Sequence, residues 1–126
     1  MEHAIYMDKL FPNQPPEKDD GNKEYKRCLK INNPSIKAKS NYLDKKATQM
    51  LYRLNEGDGK AVYLVGVDDN GNARGISKEE LIQTYNYIEK ISNIIHAKIK
   101  NIRIYKSKNN NFIMSIRLFL DLSYIF

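Results

Sequence analysis

Two glycine- and Asx-rich stretches of this chain carry spacings that could do chemistry, and both point away from a catalytic centre. Gly57-Asp-Gly-Lys60 has the glycines and the lysine of a phosphate-cradling loop. Such a loop opens a helix and continues into Ser or Thr, whereas Lys60 leads into Ala61 and an apolar run of β-formers. Gly57 and Gly59 therefore read as a helix stop and a tight turn. Asp68, Asn70, Asn72 and Glu79 fall at positions 1, 3, 5 and 12 of a calcium loop, but the sixth position is Ala73, where the loop needs glycine. These residues read as an Asx-rich hairpin tip, with Asn70-Gly71 supplying the positive φ angles. Cys28 alternates with Lys26 and Lys30, which would favour a thiolate if the ammonium groups lay close, but the reading preferred over a catalytic thiol is a plain, partly buried strand residue. His3 and His96 have no Cys or metal partner nearby in sequence, and Asp68 and Asp69 are adjacent and diverge. The sequence assembles no catalytic residues and no metal site, and it calls for no cofactor of its own.

What remains is recognition. Lys26, Lys30, Lys45, Lys46, Gln49, Arg53, Arg103 and Arg117 are the candidate contact residues for an anionic partner, with Tyr25 and Tyr52 available for stacking. The formal charge is +6, and residues 21–60 (+6) and 96–126 (+5) supply the excess, a distribution that suits RNA or a ribosomal surface. Lys outnumbers Arg 16 to 5, a bias that A/T-rich coding also produces, so a structural or protein-docking module with compositional charge is the alternative.

The elements that must position these residues follow from periodicity. Glu24 to Ile31 reads as a strand, ended by Asn32-Asn33-Pro34. Leu43, Ala47, Met50, Leu51 and Leu54 form one stripe of an amphipathic helix over Asn41–Glu56, with Asn41 and Asp44 as its cap; Lys46, Gln49 and Arg53 lie together on its flank. Ala61–Val67 is expected as the central strand, reversed at Asn70-Gly71 into Ala73–Ile76. Ser77-Lys-Glu-Glu80 is a capping box that opens a second helix to about Ile95, with Leu81, Tyr85, Ile88 and Ile95 inward. Lys98–Lys106 and Phe112–Leu120 make a closing hairpin. The order β-α-β-β-α-β-β suits an α+β two-layer sandwich, a mainly antiparallel sheet with two helices on one face.

A length of 126 residues sets one domain: a mobile leader over 1–23, broken by Pro12, Pro15 and Pro16, an α+β domain over 24–120, and an apolar tail over 121–126. No apolar run reaches the roughly 20 residues that span a bilayer, and the start lacks a basic signal-peptide region, so a cytoplasmic protein with no membrane partner is expected. One cysteine agrees with a reducing compartment.

Gly21-Asn22-Lys23-Glu24-Tyr25-Lys26, Thr48-Gln49-Met50, Arg53-Leu54-Asn55-Glu56-Gly57, Gly59-Lys60-Ala61-Val62-Tyr63, Gly66-Val67-Asp68-Asp69-Asn70-Gly71, Gly75-Ile76 and Glu79-Glu80 together resemble the region preceding the GTPase domain in the GTP-binding protein 1 and 2 family, elongation-factor-like translational GTPases. The resemblance implies an amino-terminal accessory domain of such a protein. GTP and Mg would belong to the parent GTPase domain, and RNA, the ribosome or that GTPase domain would be the partners. The GTPase motifs are missing from this chain, so the resemblance transfers no catalytic residue. A weaker similarity, to Schlafen-type AlbA domains, rests on a Glu-x-Lys strand and a Gly-Val-Asp-Asp-x-Gly hairpin and points to nucleic acid by fold analogy alone.

Overall fold

The computed structural model describes residues 3–30 and 35–121. Along the chain they form β1 (Ala4–Leu10), β2 (Lys23–Lys26), α1 (Ile36–Glu56), β3 (Lys60–Val65), α2 (Lys78–Ile94), β4 (Lys98–Lys106) and β5 (Phe112–Phe119). The class is the α+β fold expected from the sequence. The order differs: a strand lies in the leader, and the Ala73–Ile76 strand is replaced by a single antiparallel bridge between Ile76 and Phe112. Gly66 and Gly75, both at positive φ, approach each other across that return, and the Gly75 amide bonds the Gly66 carbonyl at 2.8 Å. Backbone so turned cannot extend into a ladder.

The five strands make one sheet in the order β1-β4-β5-β3-β2. The inner pairs β4–β5 and β5–β3 are antiparallel, the first as expected for its hairpin connection, but both outer pairs, β1–β4 and β2–β3, are parallel. The sheet is therefore mixed, with its antiparallel pairs at the centre and a parallel pair at each edge. The β2-α1-β3 crossover accounts for one of the parallel pairs, since a helix between neighbouring strands returns the chain to the same end. β5, not β3, is the central strand.

Helix α1 begins earlier than Asn41. Ser35 is its N-cap, the hydroxyl accepting from the Ala38 amide at 3.1 Å, so Asn41 and Asp44 lie inside the helix. Its far end is the turn read from Gly57-Asp-Gly59: Gly59 donates to the Leu54 carbonyl at 2.7 Å, with Asp58 and Gly59 at positive φ. Helix α2 opens on the full capping box, Ser77 and Glu80 each satisfying the other's amide.

Both apolar stripes sit on the same side of the sheet. Ala47, Met50 and Leu54 of α1 and Leu81, Tyr85, Ile88 and Ile91 of α2 pack on Ala61, Tyr63, Val65, Ile102, Ile104, Met114, Ile116 and Leu118. Strand β2 is shorter than expected; after Lys26 the chain leaves the sheet, and the Leu29 amide donates to Thr84 Oγ1 on α2. Ile31, the Asn32-Asn33-Pro34 turn and the apolar tail from Leu122 onward lie outside the described residues.

The leader is built into the fold. β1 pairs with β4, and the residues after it cross the second face of the sheet. Phe11 meets the Tyr105 ring edge-on at 4.9 Å, Gln14 donates to the Gly71 carbonyl, and the Tyr25 hydroxyl donates to the Pro15 carbonyl. A small second core of Tyr25, Leu64, Val67, Ala73 and Ile113 lies beneath. The prolines prevent regular structure in residues 12–16 but not docking, because side chains and carbonyls satisfy the backbone there.

Candidate nucleic-acid interface

The structure divides the eight candidate contact residues between opposite sides of the sheet. Lys26, Lys30, Lys45, Lys46, Gln49 and Arg53 belong to the helix side, Arg103 and Arg117 to the other.

On the helix side the cluster is turned inward. Arg53 is buried: its Nε donates to Glu24 Oε1 at 2.8 Å, Nη1 to the carbonyls of Asp20 and Gly21, and Nη2 to the carbonyl of Lys18. Burial alone would lower its pKa, but the bond to Glu24 and the Glu24 charge outweigh that and hold it above the usual value. A guanidinium so engaged cannot reach a phosphate, and Arg53 is a structural residue. Lys26 pairs with the other Glu24 oxygen at 2.8 Å and Lys30 with Glu80 at 2.8 Å. Burial, then the neighbouring Lys26 ammonium, push Lys46 down. Gln49 is half-buried, with an Oε1 that makes no hydrogen bond to the protein. Of the six only Lys45 stands exposed without an ion pair among the described residues. Glu17 accepts from the Tyr25 amide beside this cluster, and burial raises its pKa.

The aromatic candidates are also engaged. Tyr25 is sealed under the leader, and the Tyr52 hydroxyl donates to the Asp19 carbonyl. At the Asx-rich tip Asp68 pairs with Arg74 at 3.1 Å, and the Asn70 side chain accepts from the Asn72 amide. His96 sits at φ 60° where α2 ends, a backbone role. Cys28 is half-buried against the main core.

The other side of the sheet is different. Strand side chains alternate between faces, so the neighbours of the helix-facing residues point away from the helices. Register then places Lys60, Phe119 and Lys98 in one row across β3, β5 and β4. Lys23, Val62, Arg117 and Asn101 form the next row. Arg103 lies one row further, opposite Ser115. Lys100 falls in the register shift between Ile99 and Asn101, its Nζ 5.6 Å from the centre of the Phe119 ring. With strands about 4.8 Å apart and same-face residues about 6.8 Å apart along them, these side chains, on four strands and in three rows, occupy a patch of roughly 14 by 14 Å. The leader covers only the Tyr105–Ile113–Leu64–Tyr25 end. In the uncovered part, six cations surround one exposed aromatic ring, none of the six is in an ion pair among the described residues, and no described strand residue facing this side is a carboxylate.

Sequence reasoning named Arg103 and Arg117 but not Lys23, Lys60, Lys98, Lys100 or Phe119. The signal was present in Lys98-Ile-Lys100 and Arg117-Leu-Phe119, where polar or aromatic residues alternate with core residues. Without the pairing of β3 with β5, however, nothing brings Lys60 beside Phe119.

The chain is 40% identical over 92 residues to GTP-binding protein 2 of Homo sapiens and of Mus musculus. The match takes in 73% of this chain but only 14% of those relatives' length. It is also 35% identical over 86 residues to an uncharacterized protein of Acanthamoeba polyphaga mimivirus, covering 68% of this chain and 43% of that protein. No family model matches, and no solved structure matches. The chain is thus related to a small part of a GTP-binding protein, as an accessory domain of a GTPase would be. No helix among the described residues is long and apolar enough to cross a membrane.

Proposed function

We propose that the chain is a non-catalytic accessory domain of an elongation-factor-like GTP-binding protein, and that it holds RNA, free or in the ribosome, on the open face of its sheet. The observation that carries this reading is the cation patch. Lys23, Lys60, Lys98, Lys100, Arg103 and Arg117 share one surface with no strand carboxylate to neutralise them. Like charges gathered without partners repel one another and are relieved by a polyanion. The relation to GTP-binding protein 2 supplies the context of a larger GTPase, which would hold GTP and Mg in another part of its chain.

A titration of the chain with tRNA and with ribosomal RNA at low and moderate salt tests this. Binding is expected to weaken steeply with salt and to fall at least about tenfold in Lys60→Glu with Arg117→Glu. Absence of binding at low salt would refute it.

A second reading, a docking module for the GTPase body, draws on one observation. Edge strand β1 leaves Ile5, Tyr6 and Leu10 exposed at 56%, 70% and 60%. Under that reading Tyr6→Lys with Leu10→Lys abolishes association with the GTPase domain and the charge reversals leave it intact.

A further inference from the structure

Phe119, Lys98 and Lys100 do more than stand on the open face. With the α2 end at Ile95 and His96, and with Asp121 after β5, they border a cavity of about 680 Å³ at the end of the sheet. We propose that this cavity seats one unpaired nucleotide, which makes the domain a reader of single-stranded RNA rather than of duplexes; the inference rests on the RNA-binding reading above.

Size, lining and position each support it. The volume falls within the roughly 300–1,000 Å³ of small-ligand sites, enough for one nucleotide. Phe119 is 36% exposed, an aromatic surface left at the last position of its strand. A base can stack on such a ring only when it is unpaired, since in an A-form duplex the base faces are covered by their neighbours. The Lys100 ammonium now lies over that ring at 5.6 Å. It is on a flexible stem, and a base arriving at the ring frees it to meet the adjoining phosphate. Lys98 and Lys100 supply the ammonium groups of the lining that can meet a phosphate. The cavity also closes one end of the cation rows, so a strand seated there continues past Lys60 and Arg117 without a break in positive charge.

The experiment compares a labelled unpaired oligouridine with an RNA duplex of equal charge, both titrated with the full chain by fluorescence anisotropy. The single strand is expected to bind at least about tenfold tighter than the duplex. Phe119→Leu, which keeps apolar bulk, should remove that preference, and Phe119→Tyr should keep it. Photo-crosslinking of thiouridine-containing oligonucleotide to the unaltered chain gives a readout independent of any variant's folding, with adducts expected on Phe119 or its neighbours in β4. Equal affinity for strand and duplex, an unaffected Phe119→Leu, or crosslinks confined elsewhere would each overturn the cavity assignment. If Lys60→Glu with Arg117→Glu still weakens both RNAs in that case, the RNA-binding face stands and only the nucleotide seat falls. If no RNA binds, or polyglutamate binds as tightly, both fall.

Discussion

Arg53 Nε and Glu24 Oε1 lie 2.8 Å apart with side chains only 5% and 2% exposed, which makes this ion pair the internal tie between α1, β2 and the leader. The guanidinium also holds three leader carbonyls, so removing it leaves a buried carboxylate short of a partner and three acceptors unmet. Breaking a buried pair on one side costs about 3–5 kcal/mol. Arg53→Ala is expected to lose that much stability in urea and to expose residues 18–21 to proteolysis. Arg53→Lys should recover only part of it, because an ammonium cannot fill the fork geometry. A loss below about 1 kcal/mol in Arg53→Ala would show that the pair contributes no more than a surface one.

Glu80 sets a pH dependence of defined sign. The Lys30 ammonium, bonded at 2.8 Å, and then the Ser77 amide hold its carboxyl below the ordinary value. In the window between the two pKa values the folded chain binds fewer protons than the unfolded one, so stability rises with pH there. The contribution is complete above the unfolded value and fades as pH falls through the folded one. Glu80→Gln should therefore be less stable than the unaltered chain at neutral pH, and the two denaturation midpoints should converge in acid. Ser77→Ala, which removes the other half of the capping box, is expected to cost about 1 kcal/mol. Curves that stay parallel down to acid pH would exclude the linkage.

Local signals were the legible part of this chain. The Ser77–Glu80 box, the Gly57–Gly59 stop, both helix stripes and the β4–β5 hairpin are each specified by residues within a few positions of one another. What escaped depends on partners distant in sequence. Parallel pairing of β1 with β4 joins residues about a hundred positions apart, and nothing in Ala4–Leu10 announces its partner. Arg53 looked like a surface cation because its helical position gives its direction but not its neighbour, Glu24. The site was half legible for the same reason: alternation marks Arg103 and Arg117 as outward, while the row that adds Lys60, Phe119 and Lys98 exists only once β5 lies between β3 and β4.

Gly71 couples the hairpin tip to the leader. Its φ is +92°, and a Cβ there would stand 1.9 Å from the Gln14 carbonyl oxygen, backbone that itself bonds the Gly71 carbonyl through the Gln14 amide at 2.8 Å. Gly71→Ala meets both a conformational penalty and a clash that only movement of the leader relieves. It should destabilise by more than about 1 kcal/mol and speed hydrogen exchange at the Gln14 and Glu17 amides. Gly21→Ala, also at positive φ but with open space around its Cβ position, should leave those amides protected.

The salt dependence of RNA binding tells the two sides of the sheet apart. Each phosphate neutralised on a single strand contributes about 0.7 to the slope of log K against log salt. Arg103 and Arg117 both face the open side, so replacing both with Ala should flatten the slope by about 1.4 and weaken all sequences alike. Lys45, exposed on α1 across the sheet, serves as the matched control: Lys45→Ala removes one cation from the same chain but none from the patch. An unchanged slope in Lys45→Ala beside a flattened one in the double variant places the RNA on the strands. The reverse pattern would move the contact to α1, where Arg53 is unable to join it because its guanidinium already serves Glu24 and the leader.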